Sequence, residues 1–151
     1  MSSFIPEKLY KEILEHMPIP CIDFVFYHKG KVLLTYRTQE PEKGRWWVQG
    51  GRIFKHETLE EALQRIAKRE IGSEVKIIRK MGGYEYHSDK ANFGVNSGTH
   101  CIVVVYLVKP LKDNFEVFMD ETHSNYKWIN YIEDDLDPYV KEVIQDSGVF
   151  K

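Results

Sequence analysis

The apolar positions of the chain change period several times, and each change marks an element. PEKLYKEILEHM sets Leu9, Ile13 and Leu14 at helical spacing behind Pro6, which predicts a short amphipathic helix that Pro18 and Pro20 end. CIDFVFY is β-branched and aromatic, HKG is a turn and KVLLTYR a second strand, so residues 21–37 read as a hairpin. The loop QEPEKGR then leads into WWVQGGR. From Thr58 to Ile71 the apolar residues Leu59, Ala62, Leu63, Ile66 and Ala67 recur at helical spacing, the mark of one buried helix face. Thr58 and Glu61 form a Thr-x-x-Glu capping box at its start, and Gly72 supplies the stop. VKIIRKMGGYEYHS and THCIVVVYLVK predict two more strands around the loop DKANFGVNSG. A short strand near FEVF, an acidic loop MDETHSN, a strand YKWI and a terminal helix over 137–146 complete the chain. Strands outnumber helices and mix with them, without repeats or linkers, which predicts an α/β sandwich.

Composition narrows this picture. A length of 151 residues suits a single domain over 1–151, and 42% hydrophobic with 13% aromatic residues allows a sizeable core. The formal charge of -2 provides no general basic field, so neither nucleic acid nor anionic membrane is an expected partner, and any phosphate affinity must be local. Cys21 and Cys101 both sit inside apolar runs, where free thiols behave as small hydrophobes; a reducing, cytoplasmic setting is expected. The start MSSFIPEKLYKEIL has no apolar stretch behind basic residues, and no run approaches the roughly 18 apolar residues of a membrane span.

One position on the strongest helix breaks its own pattern. Glu70 lies three, four and seven residues after Ala67, Ile66 and Leu63, and so continues the apolar face. A carboxylate buried there without a partner costs several kcal/mol, so it must be solvated at a frayed helix end, paired with a cation, or bound to a metal. Gly50 and Gly51 precede the helix, Glu57 follows Gly51 by six positions, Arg65 follows Glu57 by eight, and Glu70 and Gly72 close the segment.

This spacing resembles the Nudix box, here over about 51–73, a strand–loop–helix signature whose glutamates bind magnesium against a diphosphate. The resemblance implies the Nudix fold, a mixed β-sheet in an α/β/α sandwich, with Mg²⁺ as cofactor and Mn²⁺ as an alternative ion. Hard Mg²⁺ takes oxygen ligands and bridges phosphate oxygens, and a Gly loop lets a backbone carbonyl reach the same ion. The box is reduced in this chain. The superfamily pattern has Glu directly after the Arg and a pair of Glu at its end, whereas Arg65 is followed by Ile66, Ala67, Lys68 and Arg69, leaving Glu70 alone of that set. Fewer anionic ligands hold fewer metal ions, which favours one Mg²⁺ stabilising a diphosphate leaving group over multi-metal attack on phosphorus.

The same loss is a feature of GDP-mannose mannosyl hydrolases, which the chain resembles from about Pro18 to about Trp128, including the later DETHSNYKW. Those enzymes attack the anomeric carbon of the sugar with inversion and release GDP and free sugar. The resemblance implies His123 as general base, a role suited to a pKa near neutrality. It implies Gly50, through its carbonyl, and Glu70 as magnesium ligands, Arg37 as a diphosphate contact, and Arg52 with Asp23 as leaving-group and substrate contacts. Arg65 matches the box Arg, whose work is to orient a nearby carboxylate; an exposed Glu61–Arg65 pair is the plainer alternative. His87 and His100 fall in similar regions and are candidate substrate contacts, and a homodimer is implied. Thr122 stands where the family has a metal-binding Gln, Cys101 where it has a Tyr on the leaving diphosphate, and Gln49 where it has a Pro. A nucleotide sugar such as GDP-mannose or GDP-glucose is the implied substrate. Two alternatives stay open: a Nudix diphosphohydrolase attacking phosphorus, with Glu121 completing its site, and a non-catalytic nucleotide-binding module.

Overall fold

The computed structural model describes residues 4–118 and 123–150, with only the backbone of Asn92, His123 and Ser124. In chain order the elements are α1 (Glu7–His16), β1 (Ile19–His28), β2 (Lys31–Arg37), β3 (Trp46–Trp47), β4 (Gln49–Arg52), α2 (Leu59–Ile71), β5 (Val75–Ser88), β6 (Thr99–Pro110), β7 (His123–Ile129) and α3 (Pro138–Ser147). A single-turn 3₁₀ segment, Asn92–Gly94, lies between β5 and β6.

The seven strands run β3-β2-β1-β6-β5, with β4 added to β1 and β7 to β2. β1 and β6 pair in parallel from Ile19↔Cys101 to Phe26↔Val108, and the other pairings are antiparallel, so the sheet is mixed. The expected hairpin of residues 21–37 closes only at Tyr27↔Val32 and His28↔Lys31. Beyond that point β1 turns to β4 and β6 while β2 turns to β3 and β7, and the cleft left between them holds the site.

Alternation along β1 sorts its residues between two cores. Ile22, Phe24 and Phe26 pack with Leu63, Ile66 and Ile71 of α2. Val25, with Cys21 and Tyr27 beside it, packs with Val140, Val143 and Ile144 of α3. The helices therefore cover opposite faces, giving an α/β/α sandwich.

α2 begins in a complete capping box between Thr58 and Glu61 and ends at Gly72, whose φ of 78° is the left-handed conformation of a helix stop. α1 is less embedded than its periodicity suggests: none of its residues is buried, and Leu9 is half exposed. The segment near FEVF is not a strand. Phe118 N–H donates instead to Ile71 C=O at the end of α2, and the Phe115 ring packs on Phe26, so the backbone satisfies the helix terminus rather than a sheet. β7 begins earlier than YKWI, at His123, so that residue opens a strand. No described helix is long and apolar enough to cross a membrane.

Candidate active site

Gly50 and Gly51 lie within β4, not in a loop, and the reason for each is space. Gly50 faces Asp23 across the β1–β4 pair, and a Cβ there would come 2.7 Å from both the Asp23 Cγ and the Ile22 carbonyl oxygen. A Cβ on Gly51 would meet Arg69 Nη2 at 2.8 Å. The first contact involves backbone and cannot be relieved cheaply, and the second would push the Arg69 guanidinium aside, so the pair of glycines lets an acid on one face of the sheet and a base on the other press against the same backbone.

On the α3 face, Asp23 lines a cavity with Arg37, Arg52, Tyr10, Tyr86, Cys21 and Cys101. The Tyr139 hydroxyl of α3 donates to Asp23 Oδ2 at 2.7 Å. Burial pushes the Asp23 carboxyl up to about 6, against the lowering pull of Tyr139 and Arg37, while Glu70 adds to the rise. Cys21 hydrogen-bonds Cys101, which together with burial raises its thiol pKa. Cys101 thus faces the cavity where the resembled family carries Tyr. Gln49, fully buried in place of a Pro, donates to Leu33 C=O at 3.2 Å and so ties β4 to β2.

On the α2 face, Glu70 is 3% exposed and lines a second cavity with Arg37, Thr38, Gln39, Gly50, Gly51 and Arg69. Arg37, Gly50 and Gly51 border both cavities, which makes them one continuous site around the end of β4. Arg37 Nε is held by Pro41 C=O at 2.8 Å. The backbone register sets Arg37 opposite His123, with a bulge between Thr35 and Arg37. Thr122 lies outside the described residues, as does Glu121.

Arg65 and Glu57 serve the loop between β4 and α2. Arg65 Nε and Nη2 reach the Glu57 carboxylate at 2.7 and 3.0 Å, and Nη2 also donates to Arg52 C=O at 2.8 Å. Glu57 Oε1 accepts from Phe54 N–H at 2.7 Å, and Arg65 holds this carboxyl below the usual glutamate range. The carboxylate that Arg65 orients is therefore Glu57, while Glu61 is used in the capping box. The Arg65 and Arg52 guanidinium carbons lie 3.5 and 4.8 Å from the centre of the Phe54 ring, and Arg52 is also 5.7 Å from that of Tyr10, so aromatic contacts support its guanidinium.

His87 and His100 are paired across β5–β6 with rings stacked at 4.2 Å. They line a neighbouring groove with Glu40, Glu42, Lys43 and Arg45, not the cavity of Asp23 and Arg52. The wall between the two is a network that sequence reasoning missed. Glu42 accepts from Tyr86 and from Arg45 (2.9 Å), and Arg45 also reaches Asp137, the N-cap of α3 (2.9 Å). Glu42 and Arg45 are three residues apart, but Tyr86 and Asp137 lie 44 and 92 positions from their partners and carry no local signal. Tyr10 and Tyr139 escaped for the same reason.

This wall makes a pH prediction. Burial alone would raise the Glu42 carboxyl, yet hydrogen bonds from Tyr86 and Arg45 hold it below its ordinary 4.5. A lowered folded pKa contributes stability above the unfolded value that is lost as the pH falls through the folded one. Glu42→Gln is expected to lower the melting temperature at pH 7 by about 2–4 °C, the shift that roughly 1 kcal/mol gives a chain of this size. Melts taken downward in pH should show the gap closing below 4.5; a constant gap would exclude the carboxylate as its source.

A mixed sheet between two helices, with a capped helix presenting Glu70 beside a Gly-Gly strand, is the arrangement of the Nudix hydrolases. The NUDIX domain profile matches residues 19–145, and the chain belongs to that family. It is 35% identical over 140 residues, 93% of this chain and 88% of the relative, to the low-salt glycan biosynthesis protein Agl8 of Haloferax volcanii. Its fold is similar to that of the MutT NUDIX hydrolase from Burkholderia pseudomallei (TM-score 0.72, 20% identity, covering 87% of this chain and 98% of that one). It is similar also to the NUDIX domain of Shewanella oneidensis NrtR, solved in complex with ADP ribose (TM-score 0.65, 21% identity, covering 95% and 97%).

Proposed function

We propose that the chain hydrolyses a nucleoside diphosphate sugar, of the GDP-mannose or GDP-glucose kind, by attack of water at the anomeric carbon. The observation that carries this reading is the charge pattern of the site: Glu70 is the carboxylate the box contributes to the cavity, Glu57 is taken by Arg65, and Arg37 and Arg52 stand alongside. Among the described residues no three His, Cys, Asp or Glu side chains come together as a metal cluster. A nearly buried carboxylate beside the Gly50 backbone fits one hard divalent ion, which prefers oxygen ligands. Glu70 and Gly50 would hold such an ion, Mg²⁺ or Mn²⁺, and Thr122 belongs to the same set by resemblance. Its chemistry there is to neutralise charge that builds on the departing diphosphate.

The chain's own residues do the rest. Arg37 and Arg52 bind and orient the diphosphate. His123 takes the proton of the attacking water. Asp23, fixed by Tyr139, accepts hydrogen bonds from the substrate, and His87 and His100 extend the contact surface from the neighbouring groove. Support for a sugar-carrying substrate comes from the relative named for glycan biosynthesis and from the ADP ribose complex of a protein of like fold. A homodimer and a cytoplasmic setting belong to the same reading.

Turnover of a panel of nucleotide sugars with Mg²⁺ in ¹⁸O-water tests the reaction. The label is expected in the free sugar, with an unlabelled nucleoside diphosphate. Label in a phosphate product, with a nucleoside monophosphate and sugar phosphate, would establish attack on phosphorus instead.

A further inference from the structure

Arg69 is the residue of the box segment whose charge is reversed. The Nudix pattern has a metal-binding Glu at this position, so the substitution changes the local charge by two where a second ion would sit. On helical geometry alone a 44%-exposed side chain next to the buried Glu70 would point to solvent. It turns back: Nη2 lies where only a glycine at 51 leaves room, 2.8 Å from the place of a Cβ. There it lines the cavity of Glu70 and Arg37. It pairs with Glu70 Oε1 at 3.7 Å, longer than the 2.7–2.9 Å of a charged hydrogen bond, so this ion pair does not use up the guanidinium's N–H donors. The cavity then presents two guanidinium groups and one carboxylate, a net positive charge suited to an anion of high charge density.

We propose that Arg69 takes the place of a second metal ion: it binds the diphosphate oxygens alongside Arg37 and keeps the site to one divalent cation. This rests on the reading of the cavity as a metal–diphosphate site, not on which bond is cut. A guanidinium offers a planar pair of N–H donors matched to two phosphate oxygens and never loses its charge. A divalent ion placed beside it would face repulsion in a partly desolvated cleft. Gly51 is part of the device, because any side chain there would displace the guanidinium.

Two readouts that need no turnover test it: Mn²⁺ per chain from the paramagnetic resonance signal of free Mn²⁺, and calorimetric affinity for inorganic pyrophosphate in EDTA. The unaltered chain is expected to bind one Mn²⁺, and pyrophosphate without metal. Arg69→Ala should weaken pyrophosphate about tenfold or more, the loss of one hydrogen bond to a charged group, and leave the Mn²⁺ count at one. Arg69→Glu should weaken pyrophosphate further and raise the count to two. Both variants should melt cooperatively near the temperature of the unaltered chain, which separates loss of binding from loss of fold. Two Mn²⁺ on the unaltered chain, no pyrophosphate binding in EDTA, an Arg69→Ala affinity within twofold of the unaltered chain, or a count that stays at one in Arg69→Glu would each overturn the proposal. ¹⁸O label in phosphate would overturn the proposed reaction and leave this inference standing.

Discussion

His123→Ala is expected to slow turnover of the nucleotide sugar about 100- to 10,000-fold, the usual contribution of a general base. The structural support is the register of β7, which opens at His123 directly opposite Arg37, a residue that borders both halves of the site. A base must reach a water on the substrate, and this strand end is where the backbone can deliver one. Affinity for nucleoside diphosphate should hold, because the proposed reading assigns binding to Arg37, Arg52 and Glu70 rather than to His123. Rate and product affinity measured together distinguish the cases. A rate loss below tenfold would place the base elsewhere, and unchanged turnover with unchanged affinity would favour a binding module.

Gly50→Ala is expected to damage fold and site together. The added methyl would fall 2.7 Å from the Ile22 carbonyl oxygen and the Asp23 Cγ, and the β1–β4 pairing gives neither strand room to retreat. Asp23 must move, which breaks its 2.7 Å bond from Tyr139 and leaves a phenol and a carboxyl to find other partners in a buried place. Overpacking of this kind costs about 1–3 kcal/mol. Urea unfolding should show that loss, and activity should fall further than the loss of folded protein explains. Gly83→Ala is the control: it too lies in a strand, but nothing lies within 4 Å of a Cβ there, so its stability should stay close to that of the unaltered chain. Equal effects at the two positions would refute the steric argument.

Much of the scaffold was legible because its signals are local. The 3.6-residue period, the Thr58 and Glu61 cap and the Gly72 stop fix α2, since each acts through neighbours within one or two turns. Glu70 was legible as an anomaly: an acid on an apolar face must answer to something, and the structure confirms it as nearly buried and facing a cavity. FEVF misled because alternation cannot say whether a backbone will find a sheet or a helix end. A Gly-Gly pair reads as a loop, whereas here the two glycines stand in a strand and admit side chains from both faces.

The sequence by itself determined α2 with its cap and stop, the long strands, the family signature and the loss of two box carboxylates, all matters of residue type and short spacing. Only the tertiary structure decided that Glu57 belongs to Arg65, that Tyr139 holds Asp23 from 116 positions away, and that His87 and His100 lie in a separate groove. It also decided that Arg69 turns back over Gly51 into the cavity of Glu70. The reason is physical: such contacts form only where separate strands and helices converge, and no local property of the chain encodes which side chains will meet there.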